Sequence, residues 1–204
     1  LGVRDPGFIT KPSTDKVFRI VSCSRISPEK RLELLLEGIA ATARRRPEQR
    51  FEWHHIGNGD QKDALQKQID ASFPLNAKGY LHKFSDGNAL MDFYRDHPID
   101  IFANSSSTEG TSVAIMEAIS CGIPVLATRV GGNVEIVSEQ NGILVPAESS
   151  PDDIAAALLQ FMDDAASSLK RTGSRHKWSA EYNADVNFPE FARELKVLQT
   201  GNSD

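Results

Sequence analysis

Apolar residues fall along this chain in short blocks that alternate with stretches of helical period. Val17-Phe18-Arg19-Ile20-Val21-Ser22-Cys23 predicts a buried strand. Pro28 then opens a helix running to about Arg45, with Leu32, Leu35, Leu36 and Ile39 on one stripe. Phe51 to Ile56 predicts the next strand, ended by Gly57-Asn58-Gly59, with Asp60 placed to cap the helix that follows. A short extended piece around Gly79-Tyr80-Leu81 leads to an amphipathic helix from about Asn88 to Asp96. Further strands are expected at Asp100–Ala103, Pro124–Ala127 and Gly142–Val145, with a helix from about Thr111 to Ile119, closed by Gly122, between the first two. After Pro151 the pattern turns helical, at Ile154–Met162, near Leu169–Trp178 and at Phe188–Leu198. Strands taking turns with helices predict an α/β fold: a Rossmann-like, doubly wound parallel sheet with helices on both faces and a C-terminal helical tail.

Composition narrows the possible roles. The 204 residues, 40% of them hydrophobic, suffice for a sizeable core, and no apolar run is long enough to span a bilayer. A formal net charge of -5 speaks against a nucleic-acid partner. Cys23 and Cys121 cannot build a disulfide framework and read as buried free thiols of a reducing cytoplasm. The histidines have no metal-site spacing, and the side chains of neighbouring His54 and His55 should point to opposite faces of a strand. A start at Leu1, with no secretory signal, reads as a fragment or a processed product.

In a doubly wound sheet, ligands bind beyond the carboxyl ends of the strands, so three loops carry the candidate chemistry. The loop Asn104-Ser105-Ser106-Ser107-Thr108-Glu109-Gly110-Thr111-Ser112 is small and polar and feeds directly into a helix. Free N–H groups at that helix start favour a phosphate or another anion, and Gly110 allows close approach to the backbone. Glu117 follows among apolar neighbours. It is either a carboxylate that reaches an open cleft, where it could accept from a ribose diol, or an exposed residue of the helix face. Glu109 could reach another part of the same ligand or could cap the helix. In the first loop, Arg25 and Lys30 stand near a helix start, where cations oppose the helix dipole. A diphosphate would account for them, as would surface pairing with Glu29 or Glu33. Gly57-Asn58-Gly59 is too little for a dinucleotide fingerprint: Lys62 stands at the third glycine position, and no acid follows at the expected strand end. It reads as a turn passing close under a ligand.

The run from Ser105 to Ala118 resembles the Glu-x7-Glu signature of the retaining GT-B glycosyltransferases of group 1, with Glu109 and Glu117 as its two acids. The similarity continues through Gly122-Ile123-Pro124-Val125-Leu126-Ala127-Thr128 and Gly131-Gly132-Asn133-Val134-Glu135-Ile136-Val137. Upstream, Ser24-Arg25-Ile26-Ser27-Pro28-Glu29-Lys30-Arg31 resembles the family's phosphate-binding segment.

The resemblance implies a donor-binding half of a two-domain enzyme, with residues 1–15 as an interdomain linker remnant, 16–165 as the nucleotide-sugar-binding domain and 166–204 as closing helices. It assigns Glu117 to the nucleotide ribose and Glu109 to the donor sugar, though not as a nucleophile. Gly110, Thr111, Ser112 and Val113 are assigned to sugar and phosphate, and Arg25 and Lys30 to the diphosphate. Gly57 and Leu81 count as further donor contacts. The implied substrate is a nucleotide-diphosphate sugar, with no metal or other cofactor, and an N-terminal acceptor-binding domain completes the enzyme. The implied location is the cytoplasm, with the inner face of the membrane open to the full-length protein. A non-catalytic nucleotide-sugar-binding module and a GT-B epimerase are the alternatives.

Overall fold

The computed structural model describes residues 1–83, 87–164 and 167–200, without the side chains of residues 87, 88 and 197–200. The boundary drawn at 165/166 and the last four residues of the tail lie outside the described residues. In chain order the elements are β1 (Val17–Cys23), α1 (Leu32–Arg45), β2 (Arg50–Ile56), α2 (Lys62–Ser72), β3 (Ala77–His82), α3 (Gly87–Asp96), β4 (Ile101–Asn104), α4 (Val113–Ser120), β5 (Val125–Thr128), α5 (Asn133–Ile136), β6 (Gly142–Val145), α6 (Pro151–Asp163), α7 (Ser167–Lys177) and α8 (Ala184–Thr200). Among the described residues all six strands run parallel, in the order β3-β2-β1-β4-β5-β6. This is the dinucleotide-fold order, and it confirms the expected Rossmann-like doubly wound sheet with helices on both faces.

The two faces follow from strand alternation. Ile20 and Trp53 pack with Leu35, Leu36 and Ile39 of α1 and with Leu158 of α6, whereas Val21 packs with Tyr94 of α3 and with Ile115, Met116 and Ile119 of α4. The same alternation sends His55 into the core beside Trp53, while His54 stacks with Tyr80 and His82 across β3. Both neighbours therefore lie as the strand period requires.

Two local expectations need correction. Pro28 opens a separate 3-10 turn over Pro28–Lys30 rather than α1. Arg31, with φ 46°, takes the left-handed conformation, and the α-helix starts only at Leu32. Asp60 does not cap α2. That N-cap is Gln61 without a side-chain bond, and the Asp60 carboxylate is almost wholly exposed, 4.0 Å from Arg25. The short α5, which was not expected, turns the chain between β5 and β6.

At the other end of the chain, Val3 bonds Tyr182 and Ala184 through its backbone, and Trp178 donates its indole N–H to the Val3 carbonyl. The segment before β1 thus lies along the C-terminal helices. Phe188, Phe191 and Leu195 of α8 are exposed. No helix of the described residues is long and apolar enough to cross a membrane.

A buried polar chain fixes the carboxyl ends of β1 and β2. Trp53 donates from Nε1 to Ser22 Oγ at 2.9 Å, and Ser22 Oγ meets His55 Nδ1 at 2.8 Å. Trp53 has only a donor to offer, so Ser22 Oγ accepts from it and links the His55 ring into the same chain through Nδ1. Burial holds that imidazole neutral, with its pKa down at about 4. Trp53→Phe removes the donor and part of the core volume together. Its expected cost is roughly 2–4 kcal/mol, read as a lower urea midpoint with an unchanged m-value.

Candidate active site

β1 and β4 are neighbours in the sheet, yet their chains leave toward opposite faces, into α1 and α4. A crevice opens at such a reversal, and here it is a cavity of about 500 Å³. Cys23, Ser24, Arg25 and Lys30 line it from the β1 side, Gly57 and Asn58 from β2, and Glu109, Thr111, Ser112, Val113, Ala114 and Glu117 from the β4–α4 side. A larger groove, about 690 Å³, follows the edge strand β6 but contains none of these groups.

Lys30 and Glu109 meet in the crevice although 79 residues separate them. Lys30 Nζ donates to Glu109 Oε1 at 2.8 Å, with both side chains mostly buried. The same oxygen accepts from Ser106 Oγ at 2.7 Å and from Asn104 Nδ2 at 3.0 Å. Burial alone would raise the Glu109 pKa, but these three donors outweigh it and hold the carboxyl below its ordinary value. Oε2 receives no hydrogen bond from any described residue, so Glu109 keeps one free acceptor. The group caps nothing: the N-cap of α4 is Ser112, without a side-chain bond.

The start of α4 lies two residues later than expected. Its first closed turn is Met116 N–H to Ser112 C=O, which leaves the N–H groups of Val113, Ala114 and Ile115 without intrahelical acceptors. Gly110 adjoins open space, whereas a Cβ on Gly131, at φ 45°, would overlap the Glu109 carbonyl. The Gly131-Gly132 turn thus presses directly beneath the acidic loop, joined to it by Gly132 N–H to Gly110 C=O at 2.8 Å.

Gly57 and Gly59 serve the scaffold more directly than a ligand. Side chains there would run into the Ser24 and Ile26 carbonyls, so the β2 loop packs tightly on the β1 loop, and Ile26 N–H bonds Asn58 C=O. The turn therefore passes under the β1 loop, and Gly57 still lines the cavity.

Glu117, in the second turn of α4, is half-buried in the crevice wall. Burial without a compensating partner pushes its pKa up to about 7. Cys23, beside it, is partly exposed rather than buried, and Cys121 is buried; both are free. Burial and the Glu117 charge push the Cys23 thiol up to about 12, which excludes a resting thiolate. Among the described residues no cluster of three or more His, Cys, Asp or Glu side chains could hold a metal ion.

Residues 8–181 match the profile of the glycosyl transferases group 1 family. The chain belongs to that family. It is 28% identical over 174 residues to the O-antigen biosynthesis glycosyltransferase WbnH of Escherichia coli, across 80% of this chain and 46% of WbnH. The GtfA component of the UDP-N-acetylglucosamine–peptide N-acetylglucosaminyltransferase of Streptococcus agalactiae is 28% identical over 151 residues, 72% of this chain and 28% of that protein. Among solved structures, Anabaena HepE in complex with UDP and glucose has a TM-score of 0.76 at 20% identity, covering 96% of this chain and 55% of HepE. The C-terminal domain of the group 1 protein LpcC from Francisella tularensis has a TM-score of 0.71 at 21% identity, covering 90% of this chain and 100% of that domain. The fold is thus the Rossmann-like half of a GT-B architecture, and the chain spans less than half the length of these two curated relatives.

In this group 1 glycosyltransferase domain, most of the residues singled out in the sequence converge on one crevice: Arg25, Lys30, Gly57, Glu109, Thr111, Ser112, Val113 and Glu117. Gly110 lies in the loop beside them. Leu81 does not join them, because strand alternation turns it against the α1–α2 core. Arg25 projects into solvent and pairs with Asp60 at 4.0 Å, while its charge also reaches Glu29. Asn104 and Ser106, visible in the sequence only as part of a polar loop, hold Glu109 in place.

The raised Glu117 carboxyl makes stability depend on pH. Between its ordinary pKa of 4.5 and about 7, the folded chain holds a proton that the unfolded chain has released, so stability declines through that window as pH rises. Glu117→Gln has no proton to lose and should escape the decline. The variant should match wild type near pH 4.5 and exceed it at pH 8 by about 1–2 kcal/mol, a few degrees of melting midpoint. A pH series of thermal melts checks this, and parallel curves would remove Glu117 as the cause.

Proposed function

We propose that this chain is the donor-binding domain of a retaining glycosyltransferase, which moves a sugar from a nucleotide-diphosphate sugar to an acceptor hydroxyl in polysaccharide or glycoconjugate synthesis. The observation that carries the reading is the meeting, at the switch point, of the Lys30–Glu109 pair with the open amide start of α4 and with Glu117 one turn further on. HepE, which shares the fold, is solved with UDP and glucose, ligands of the class this reading requires.

In this reading the diphosphate lies between Arg25, Lys30 and the amides of Val113 and Ala114, where charge-assisted bonds and the helix dipole act together. Glu117 accepts from the ribose diol, and Glu109, through its free Oε2, accepts from the donor sugar. Glu109 is a poor nucleophile here, since three donors already draw on its carboxylate. Bond breaking then follows from stabilising the leaving diphosphate, whose β-phosphate helps deprotonate the acceptor on the same face. Arg25 and Lys30 supply the positive charge for that step, so the reading needs no bound divalent metal. The acceptor site belongs to a second domain of the full-length enzyme.

Replacing Arg25 and Lys30 together by Ala should weaken binding of a nucleoside diphosphate at least tenfold, since a charged hydrogen bond contributes about 1.5–3 kcal/mol. Wild-type affinity should also fall as salt is added. Calorimetry against UDP, GDP and ADP tests both points. Unchanged affinity in the double variant would move the diphosphate elsewhere.

The chain alone should bind donor yet transfer no sugar at a useful rate. Transfer needs the acceptor hydroxyl held in line with the anomeric carbon and water kept out, which a facing domain supplies. Release of nucleoside diphosphate from sugar donors should therefore depend on acceptor only when the chain is joined to its acceptor-binding domain. Equal acceptor-dependent turnover by the chain alone would overturn the half-site reading.

A further inference from the structure

Arg31 stands at the join between the Pro28–Lys30 turn and α1, with φ 46° and ψ 47°. This left-handed backbone suits glycine and strains a residue with a Cβ. Among the described residues, the only other residue besides glycine with a positive φ is Lys16, at the start of β1 and away from the crevice. Strain of this kind persists where the surroundings over-determine it, and the Arg31 side chain shows what does so. Its Nε donates to the Ser105 carbonyl at 2.8 Å and its Nη2 to the Ser106 carbonyl at 3.1 Å. In return Ser105 Oγ contacts the carbonyls of Lys30 and Arg31, at 2.8 and 3.0 Å. The planar guanidinium thus spans two successive peptide carbonyls, a grip that a lysine ammonium cannot reproduce.

What lies on either side of that grip gives it meaning. The residue before Arg31 is Lys30, and the residues it holds carry Ser106, whose hydroxyl fixes Glu109. A second tie, Ser107 N–H to the Glu29 carbonyl at 2.8 Å, lies just beyond. Lys30 and Glu109 come from loops 79 residues apart, and their 2.8 Å contact depends on the spacing of those loops.

We propose that Arg31 is a positioning residue, a clamp that sets the spacing of the β1 and β4 loops and so the shape of the anion-binding crevice, without touching the ligand. This deepens the donor-binding reading above and rests on it for the ligand, although the clamp itself exists without one. Glycine at this position would relax the backbone and lose the grip.

The test compares Arg31→Gly and Arg31→Lys with wild type in two measurements. The first is amide hydrogen exchange on the ligand-free chain. In Arg31→Gly, the Ser107 amide and its neighbours up to Glu109 should exchange at least tenfold faster, with the amides of β2 and β5 unchanged, and Arg31→Lys should recover only part of the protection. The second is affinity for UDP, GDP and ADP in a cycle with Lys30→Ala. Arg31→Gly should weaken binding of the best of the three five- to tenfold in the wild-type background and less than twofold once Lys30 is gone. A merely structural role would give equal losses in both backgrounds. Unaltered exchange in Arg31→Gly, or additive losses in the cycle, overturns the clamp. If wild type binds none of the three nucleotides, the donor-binding reading fails, and the exchange result alone decides the clamp.

Discussion

Adjacent parallel strands whose crossovers go the same way bury their ends under one layer of helices. β1 and β4 do not: one leaves toward α1, the other toward α4, and a gap opens between their carboxyl ends that no side chain of the core can fill. Everything polar in the crevice is a response to that gap. The β1 and β4 loops that border it are joined across the gap by hydrogen bonds and by the Lys30–Glu109 ion pair. Lys30 with Glu109, Ser105 with the Lys30 carbonyl and Thr128 with the Ser106 carbonyl each cross from one segment to another.

Such a network keeps its shape only if the layer beneath it is rigid. Ser22 and Cys23 end β1 at the rim of the crevice, and Ser22 is locked from below by Trp53 and His55. On the other side, the Gly131-Gly132 turn lies so close to the acidic loop that side chains have no room there. Close packing on both sides thus fixes the crevice walls, and fixed walls lower the ordering cost of binding.

The layered architecture was legible because strand and helix periods alternate cleanly over the chain, and the polar loop before α4 stands out by interrupting them. The Glu109 and Glu117 spacing, with the resemblance it carries, located the crevice. Partnerships were not legible. Glu109 as a helix cap and Glu109 as the partner of Lys30 are equally compatible with its local sequence, and only the β1–β4 adjacency decides between them. The left-handed Arg31 was hidden because arginine gives no warning of a positive φ, so α1 was started at Pro28. Leu81 packs against the α1–α2 core while Tyr80 and His82 lie with His54 on the other face, a division that follows from strand alternation. The four residues of α5 are too few to show a period at all.

The two acids of the crevice, eight positions apart, end in opposite electrostatic conditions. Glu109 has three donors on one oxygen and remains charged, while Glu117 sits among apolar neighbours and is pushed toward neutrality near pH 7. Folding alone gains nothing from the second arrangement, since a neutral residue would lie there at less cost. A half-buried carboxylate without a partner is a stabilising contact withheld from the fold and open to whatever enters the crevice. Lys30 lies between the two conditions, its ammonium already engaged by Glu109 yet facing the same cavity. In the donor-binding reading proposed above, an anion bound there would share that ammonium instead of meeting it free, and Arg25 and the α4 amides would then contribute to its hold beside Lys30. The spacing of the two loops is then what determines how the charge is divided.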